Sequence, residues 1–203
     1  MRKAIHFVND SKGIQLLANF KHQEILQLLS EHPMTQTNLS RTLGITKSAI
    51  AYHLKKLMQA NLIYIKRVEV EKHGIQQKFY SPIANFIIAP YDRTPDKIKR
   101  YFIQMQIEHV IGILATLQCV RAHFFDIDSE TIEKLAIMLW KQLEQTCKKY
   151  ESYNVIETAE SLKIMIYTDA INNLTKLPEW KALLPISCAN SILKELKMAH
   201  KNT

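Results

Sequence analysis

Two stretches of helical periodicity meet at Gly44 in "MTQTNLSRTLGITKSAIAYHLKKL", and the shortness of the join between them restricts the fold more than any other feature. Thr35 offers a capping oxygen to a helix of about two turns, with Leu39 and Leu43 four apart on one face. Gly44 stands just past its end, where a left-handed residue terminates a helix at little cost. After a turn through Ile45, Thr46 is placed to cap a longer helix running to about Ala60, whose Ile50, Leu54 and Leu57 recur at steps of four and three and face inward. A short helix, a tight turn and a longer helix make a helix-turn-helix.

The flanking sequence extends the motif into a module. From Ile14 to about Glu31, Leu16, Leu17, Phe20, Ile25, Leu26, Leu28 and Leu29 predict one helix with a broad buried face, preceded by Gly13 and ended before Pro33. After the motif, "LIYIKRVEVE" and "IQQKFYSP" alternate β-branched or aromatic residues with polar ones on either side of a glycine, which predicts a β-hairpin with its tip near His73 and Gly74. The segment "FIIAPYDRTPDK" has two prolines and no helical period, so the module is expected to end near residue 90. Thr94, Pro95 and Asp96 then offer a cap, an N1 proline and an N-terminal acid to a long helix over 95–123. Further helices are expected at about 129–149, 158–175 and 187–200, separated by "YESYNVIE" and "LPEWKALLP". The fold class is therefore mostly α with a small β-hairpin: a helix-turn-helix domain over 1–90, then an α-helical bundle over 91–203.

Charge divides at the same place. Residues 1–90 carry 12 Lys and Arg against 5 Asp and Glu, a net of +7, whereas residues 91–203 carry 15 against 14, a net of +1. Because neutralisation of phosphates by Lys and Arg supplies most sequence-independent affinity for nucleic acid, this asymmetry favours an N-terminal binding module on a near-neutral C-terminal half. No run of about 18 apolar residues is present and the start has no secretory-type apolar core, which gives a soluble, cytoplasmic expectation. Cys119, Cys147 and Cys188 form no close pair and leave one over, so they read as small buried hydrophobes in a reduced compartment.

Helix, "MTQTNLSRTLG", "ITKSAIAYHLKKLMQANLI" and a hairpin with a glycine tip together resemble the winged helix-turn-helix of ArsR-like transcriptional regulators, archaeal ones in particular, over about residues 8–82. The closest points of likeness are the His53-Leu54-Lys55-Lys56-Leu57 run, the following "QANLI" and the earlier "ANFKHQEILQLL". What the resemblance implies is a homodimer on double-stranded DNA, one recognition helix per subunit in successive major grooves and the wing over the adjacent backbone or minor groove. The non-packing positions of the recognition helix share one stripe at spacings of three and four. Thr46, Lys47 and Ser48 lie at its N-terminus, where free N–H groups favour phosphate. Ser48 and Tyr52 can reach base edges, Ala51 can touch a thymine methyl, and Lys55 can contact guanine or backbone. On the wing, Lys72, His73, Gln76 and Lys78 are candidate backbone contacts. His53, beside a core leucine, reads as a structural residue, and the resemblance implies packing or a bond to backbone there.

Beyond the module, Ile103, Ile107, Val110, Leu114 and Leu117 alternate steps of four and three, as a helix-helix seam requires, and are the expected dimer interface. Tyr101, Phe102, Trp140, Tyr150 and Tyr167 read as core, with an apolar pocket for a small-molecule effector as the alternative. A metal sensor is disfavoured: "TNLSRTLG" lacks cysteine, the three cysteines have no ligand spacing, and His109 and His123 read as helix-surface residues. No glycine-rich phosphate loop, Gly-x-Ser-x-Gly, His-Glu-x-x-His or CxxC is present, so neither an enzyme nor a cofactor is expected. The expectation is a homodimeric repressor on a palindromic operator. Its rival is a sequence-neutral architectural DNA-binding protein.

Overall fold

The computed structural model describes residues 2–70, 74–121, 126–152 and 158–184. The chain divides into two compact units, Met1–Ile98 with Lys149–Lys163, and Lys99–Lys148 with Ile164–Thr203.

In the first unit the helix expected over 14–31 is two. α1 spans Ser11–Leu17 and α2 spans Phe20–Glu31. The break comes from Asn19, whose side chain accepts from the His22 amide at 3.2 Å, a residue that favours caps over helix interiors because it bonds its own backbone neighbourhood. Gly13 lies inside α1, not before it: Asp10 is the N-cap and accepts from the Gly13 amide at 2.7 Å. A Cβ at Gly13 would lie 2.5 Å from Val8 Cγ1, so the close approach of the preceding chain requires glycine there.

α3 (Gln36–Leu43) and α4 (Lys47–Gln59) follow the sequence expectation. Thr35 and Thr46 accept from Asn38 and Ala49 amides at 3.1 and 3.2 Å, and Gly44 holds φ 64°. Their buried residues Leu39, Ile50, Leu54 and Leu57 meet Ile14, Ile25 and Leu29 in a core where none exceeds 2% exposure. At about 25 cal/mol per Å² of apolar surface, each buried leucine or isoleucine contributes about 1.5–3 kcal/mol.

The hairpin is β3 (Ile63–Val70) with β4 (Gln76–Pro82), antiparallel, and Gly74 has φ 74° near its tip. β2 (Met34–Thr35) adds to β4, pairing Met34 with Tyr80. A register shift between Ile65 and Arg67 brings Arg67 opposite Phe79, with the guanidinium 3.9 Å from the ring centroid. From Lys66 to Val70 every residue is exposed, so the outer half of the wing stands clear of the core.

Two further strands, like β2, were not expected. β1 (Lys3–Phe7) runs parallel to β5 (Ala84–Ile88), pairing Ile5 with Phe86. The whole helix-turn-helix and wing form the crossover between them, which ties the two ends of the module together.

Four helices follow, α5 (Asp96–Arg121), α6 (Ser129–Tyr150), α7 (Ala159–Leu174) and α8 (Pro178–Leu183), and the second unit holds the larger part of the first three and all of α8. α8 falls in a segment read from sequence as a separator; Pro178 at its start and the buried Trp180 make it a helix. The Thr94 hydroxyl donates to the Pro90 carbonyl at 2.7 Å, two residues before α5 begins. Phe102 and Trp140 pack with ring centroids 5.3 Å apart, and Leu135, Leu139 and Leu143 are fully buried along α6. The helix expected at 187–200 lies outside the described residues.

Candidate nucleic-acid interface

α4 is fixed at its start and along its inner face. At the turn, Ser40 donates to the Ile45 carbonyl at 2.6 Å and Gln36 to the Lys47 carbonyl at 2.8 Å. Beneath it, Ile50, Leu54 and Leu57 are at most 2% exposed. The helix therefore cannot roll without opening the core, and what it presents outward is determined.

That outward face carries all six helix candidates. Thr46, Lys47, Ser48, Ala51, Tyr52 and Lys55 are exposed, and Tyr52 reaches 56%. Among the described residues no ion pair engages Lys47 or Lys55. Between Glu31 and Glu69 the sequence has no acidic residue, while it has Arg41, Lys47, Lys55, Lys56, Lys66 and Arg67. A surface of one sign over this length raises the local concentration of polyanions.

On the wing, Gln76 and Lys78 are exposed; Lys72 and His73 lie outside the described residues. Arg67 is engaged within the wing, 2.6 Å from Glu69.

Several residues of this region escaped the sequence pattern. Lys56 places its Nζ 4.2 Å from the Tyr52 ring centroid. His22, only 3% exposed, sets its Nδ1 3.1 Å from the Leu16 carbonyl and its Nε2 3.1 Å from His53 Nδ1. Burial lowers the pKa of both histidines; a charge on His53 and on Lys56 pushes His22 the same way, and Lys56 and Lys21 do so for His53. The role of His53 is thus a side-chain hydrogen bond to α2 as well as packing.

Residues 23–64 match the family model described as bacterial regulatory protein, arsR family. The N-terminal module is a winged helix-turn-helix that is similar, over those residues, to this family. Solved structures similar to the chain include NolR from Sinorhizobium fredii, at 21% identity and TM-score 0.30, covering 56% of this chain and 84% of that one. HlyU from Vibrio cholerae has 17% identity and TM-score 0.29, covering 55% and 90%. A DNA-binding domain of Mb0332 from Mycobacterium bovis, described as a homodimeric winged helix-turn-helix, has 15% identity and TM-score 0.32, covering 57% and 84%. No curated protein matches the chain.

Outside the winged helix-turn-helix, the seam residues divide. Val110 and Leu114 are buried at 1% and 8%, Ile103 and Ile107 are half-buried, and the side chain of Leu117 lies outside the described residues. Ile111, which the seam omitted, is 48% exposed. His109 is not a plain surface residue: its Nδ1 lies 3.2 Å from both Gln106 Oε1 and the Tyr167 hydroxyl. His123 is outside the described residues. Among the described residues no three His, Cys, Asp or Glu side chains are grouped to hold a metal ion, and no helix is long and apolar enough to cross a membrane.

Proposed function

We propose that this chain is a sequence-specific DNA-binding transcriptional regulator, a homodimeric repressor that blocks promoter access at a palindromic operator. The observation that carries the reading is the outer face of α4: six exposed candidates on one stripe, anchored by a buried face, in a stretch without a single acid. Thr46, Lys47 and Lys55 serve the phosphates, and Ser48, Ala51 and Tyr52 face the base edges, with Gln76 and Lys78 on the adjacent backbone. Few side chains on one helix can read bases. Discrimination therefore depends on two half-sites about 34–36 Å apart, and so on a second copy.

For that second copy we propose the part of the α5 seam that the protomer leaves open, the half-buried Ile103 and Ile107, with the exposed Ile111 at its edge. Val110 and Leu114 are already committed to the protomer's interior. Ile107→Glu should give monomers by light scattering, whereas Leu114→Glu should unfold the chain.

The function is tested by selection from a random duplex library, followed by affinity measurements on the selected and scrambled duplexes at several salt concentrations. Enrichment of one palindrome supports the reading. Affinity that follows salt alone, with no preferred site, would establish the architectural alternative instead.

A further inference from the structure

A line of contacts runs from the buried side of the ArsR-like module to the most exposed aromatic on its DNA-facing helix. It starts at the end of α1. The Leu16 carbonyl lies 3.1 Å from His22 Nδ1, and since a carbonyl only accepts, Nδ1 carries the proton. In the neutral ring Nε2 is then a bare acceptor, so His53, with Nδ1 3.1 Å away, donates to it. The tautomers of both rings follow. The His22 and His53 rings meet edge to face with centroids 5.0 Å apart at 79°. The His53 ring meets the Tyr52 ring at 5.6 Å and 72°, and Lys56 Nζ sits 4.2 Å from the Tyr52 centroid.

We propose that His22 and His53 are positioning residues for Tyr52, so that discrimination between base sequences depends on a hydrogen bond between α2 and α4. This rests on the reading of α4 as the recognition helix. Tyr52 is 56% exposed, and without lateral support a side chain so open samples several rotamers, each of which must be given up on binding. The His53 edge and the Lys56 ammonium confine it beforehand. His53 in turn is a half-buried ring on a helix surface and keeps its orientation through His22, which is itself tied to backbone. Neither histidine needs to touch DNA. Their effect falls on base reading through Tyr52, while the phosphate contacts of Lys47 and Lys55 are independent of it.

The test uses the full chain and the best duplex selected from a random library, with a scrambled duplex of the same length as reference. The quantity read is the ratio of the two dissociation constants. His53→Leu should reduce this ratio about three- to tenfold, with the salt slope of binding unchanged. In a Tyr52→Ala background, His53→Leu should cost no further discrimination, because the histidine acts through the ring already removed. Additive losses in the double variant, or an unchanged ratio in the single one, would overturn the proposal while leaving the regulator reading intact. If the unsubstituted chain itself preferred no duplex, the regulator reading would fail first.

A second measurement needs no substitution. Protonation of His22 at Nε2 removes the acceptor of the His53 Nδ1–H, and Lys56 and a charge on His53 oppose that proton. The Tyr52 ring resonances should therefore move on acidification with the same midpoint as the His22 ring protons. A Tyr52 spectrum that ignores that titration would contradict the coupling.

Discussion

Gly44 joins the two helices in a conformation that few residue types hold cheaply. Its φ and ψ are 64° and 25°, and a Cβ built there meets nothing within 4 Å. Replacement by alanine therefore introduces no clash, and its cost is conformational alone. A left-handed L-residue costs about 1–2 kcal/mol, from which a stiffer unfolded chain returns about 0.4–1 kcal/mol. The expected net loss for Gly44→Ala is about 1 kcal/mol, or a fall in Tm of roughly 2–4 °C for a chain of this size. Asparagine visits the left-handed region readily because its side chain bonds locally, so Gly44→Asn should lose clearly less. Gly13→Ala is the control of opposite cause, since there the added methyl meets Val8 Cγ1 at 2.5 Å and Asp10 Oδ2 at 2.8 Å. Overpacking of that kind costs about 1–3 kcal/mol, and asparagine would make it worse. Thermal unfolding followed by circular dichroism separates the cases. Equal losses for Gly44→Asn and Gly44→Ala would show that the cost is not one of backbone handedness and would refute the reasoning.

Two further outcomes follow from the titrating groups. His22 and His53 have folded pKa values below the ordinary value of about 6.5, so the unfolded chain takes up protons that the folded one refuses. Stability from this source is complete above about pH 6.5 and falls as the pH drops from there through the lowered folded values; His53→Leu should flatten that fall in a denaturant series run across pH. Cys147 is fully buried and its thiol is pushed up to about 12, first by burial and then by Glu144. It should resist alkylation in the native protein at neutral pH and react on unfolding, as mapped by peptide mass spectrometry; modification at native rates equal to a free thiol would place it at the surface.

How much of this was legible in the sequence depends on how far apart the deciding residues lie. Thr35, Gly44 and Thr46 act on amides or dihedrals within a few residues, and the period of Ile50, Leu54 and Leu57 is local, so α3, α4 and the exposed stripe between them followed directly. The single helix expected over 14–31 failed because the apolar period continues across Leu17 and Phe20, and the period hides a cap at Asn19. β1 and β5 escaped because their pairing joins residues such as Ile5 and Phe86, and no local alternation announces a partner that distant. The His22 to His53 bond spans 31 residues for the same reason. The seam on α5 shows which residues share a face, but periodicity does not say whether that face is covered by the same chain or by a second copy. Burial of Val110 and Leu114 commits the middle of that seam to the protomer, with Ile103 and Ile107 half-buried on the same face and Ile111 exposed at its edge.

The claim on which the rest depends is that the lysines of α4 meet phosphate. The measurement is duplex affinity of the unsubstituted chain and of Lys47→Ala/Lys55→Ala across a series of salt concentrations. Each phosphate contact contributes about 0.9 to the slope of log affinity against log salt on duplex DNA. The slope of the double variant should therefore be shallower by about 1.8, with affinity lowered on all sequences alike. An unchanged slope with unchanged affinity would remove α4 from the interface and contradict the account.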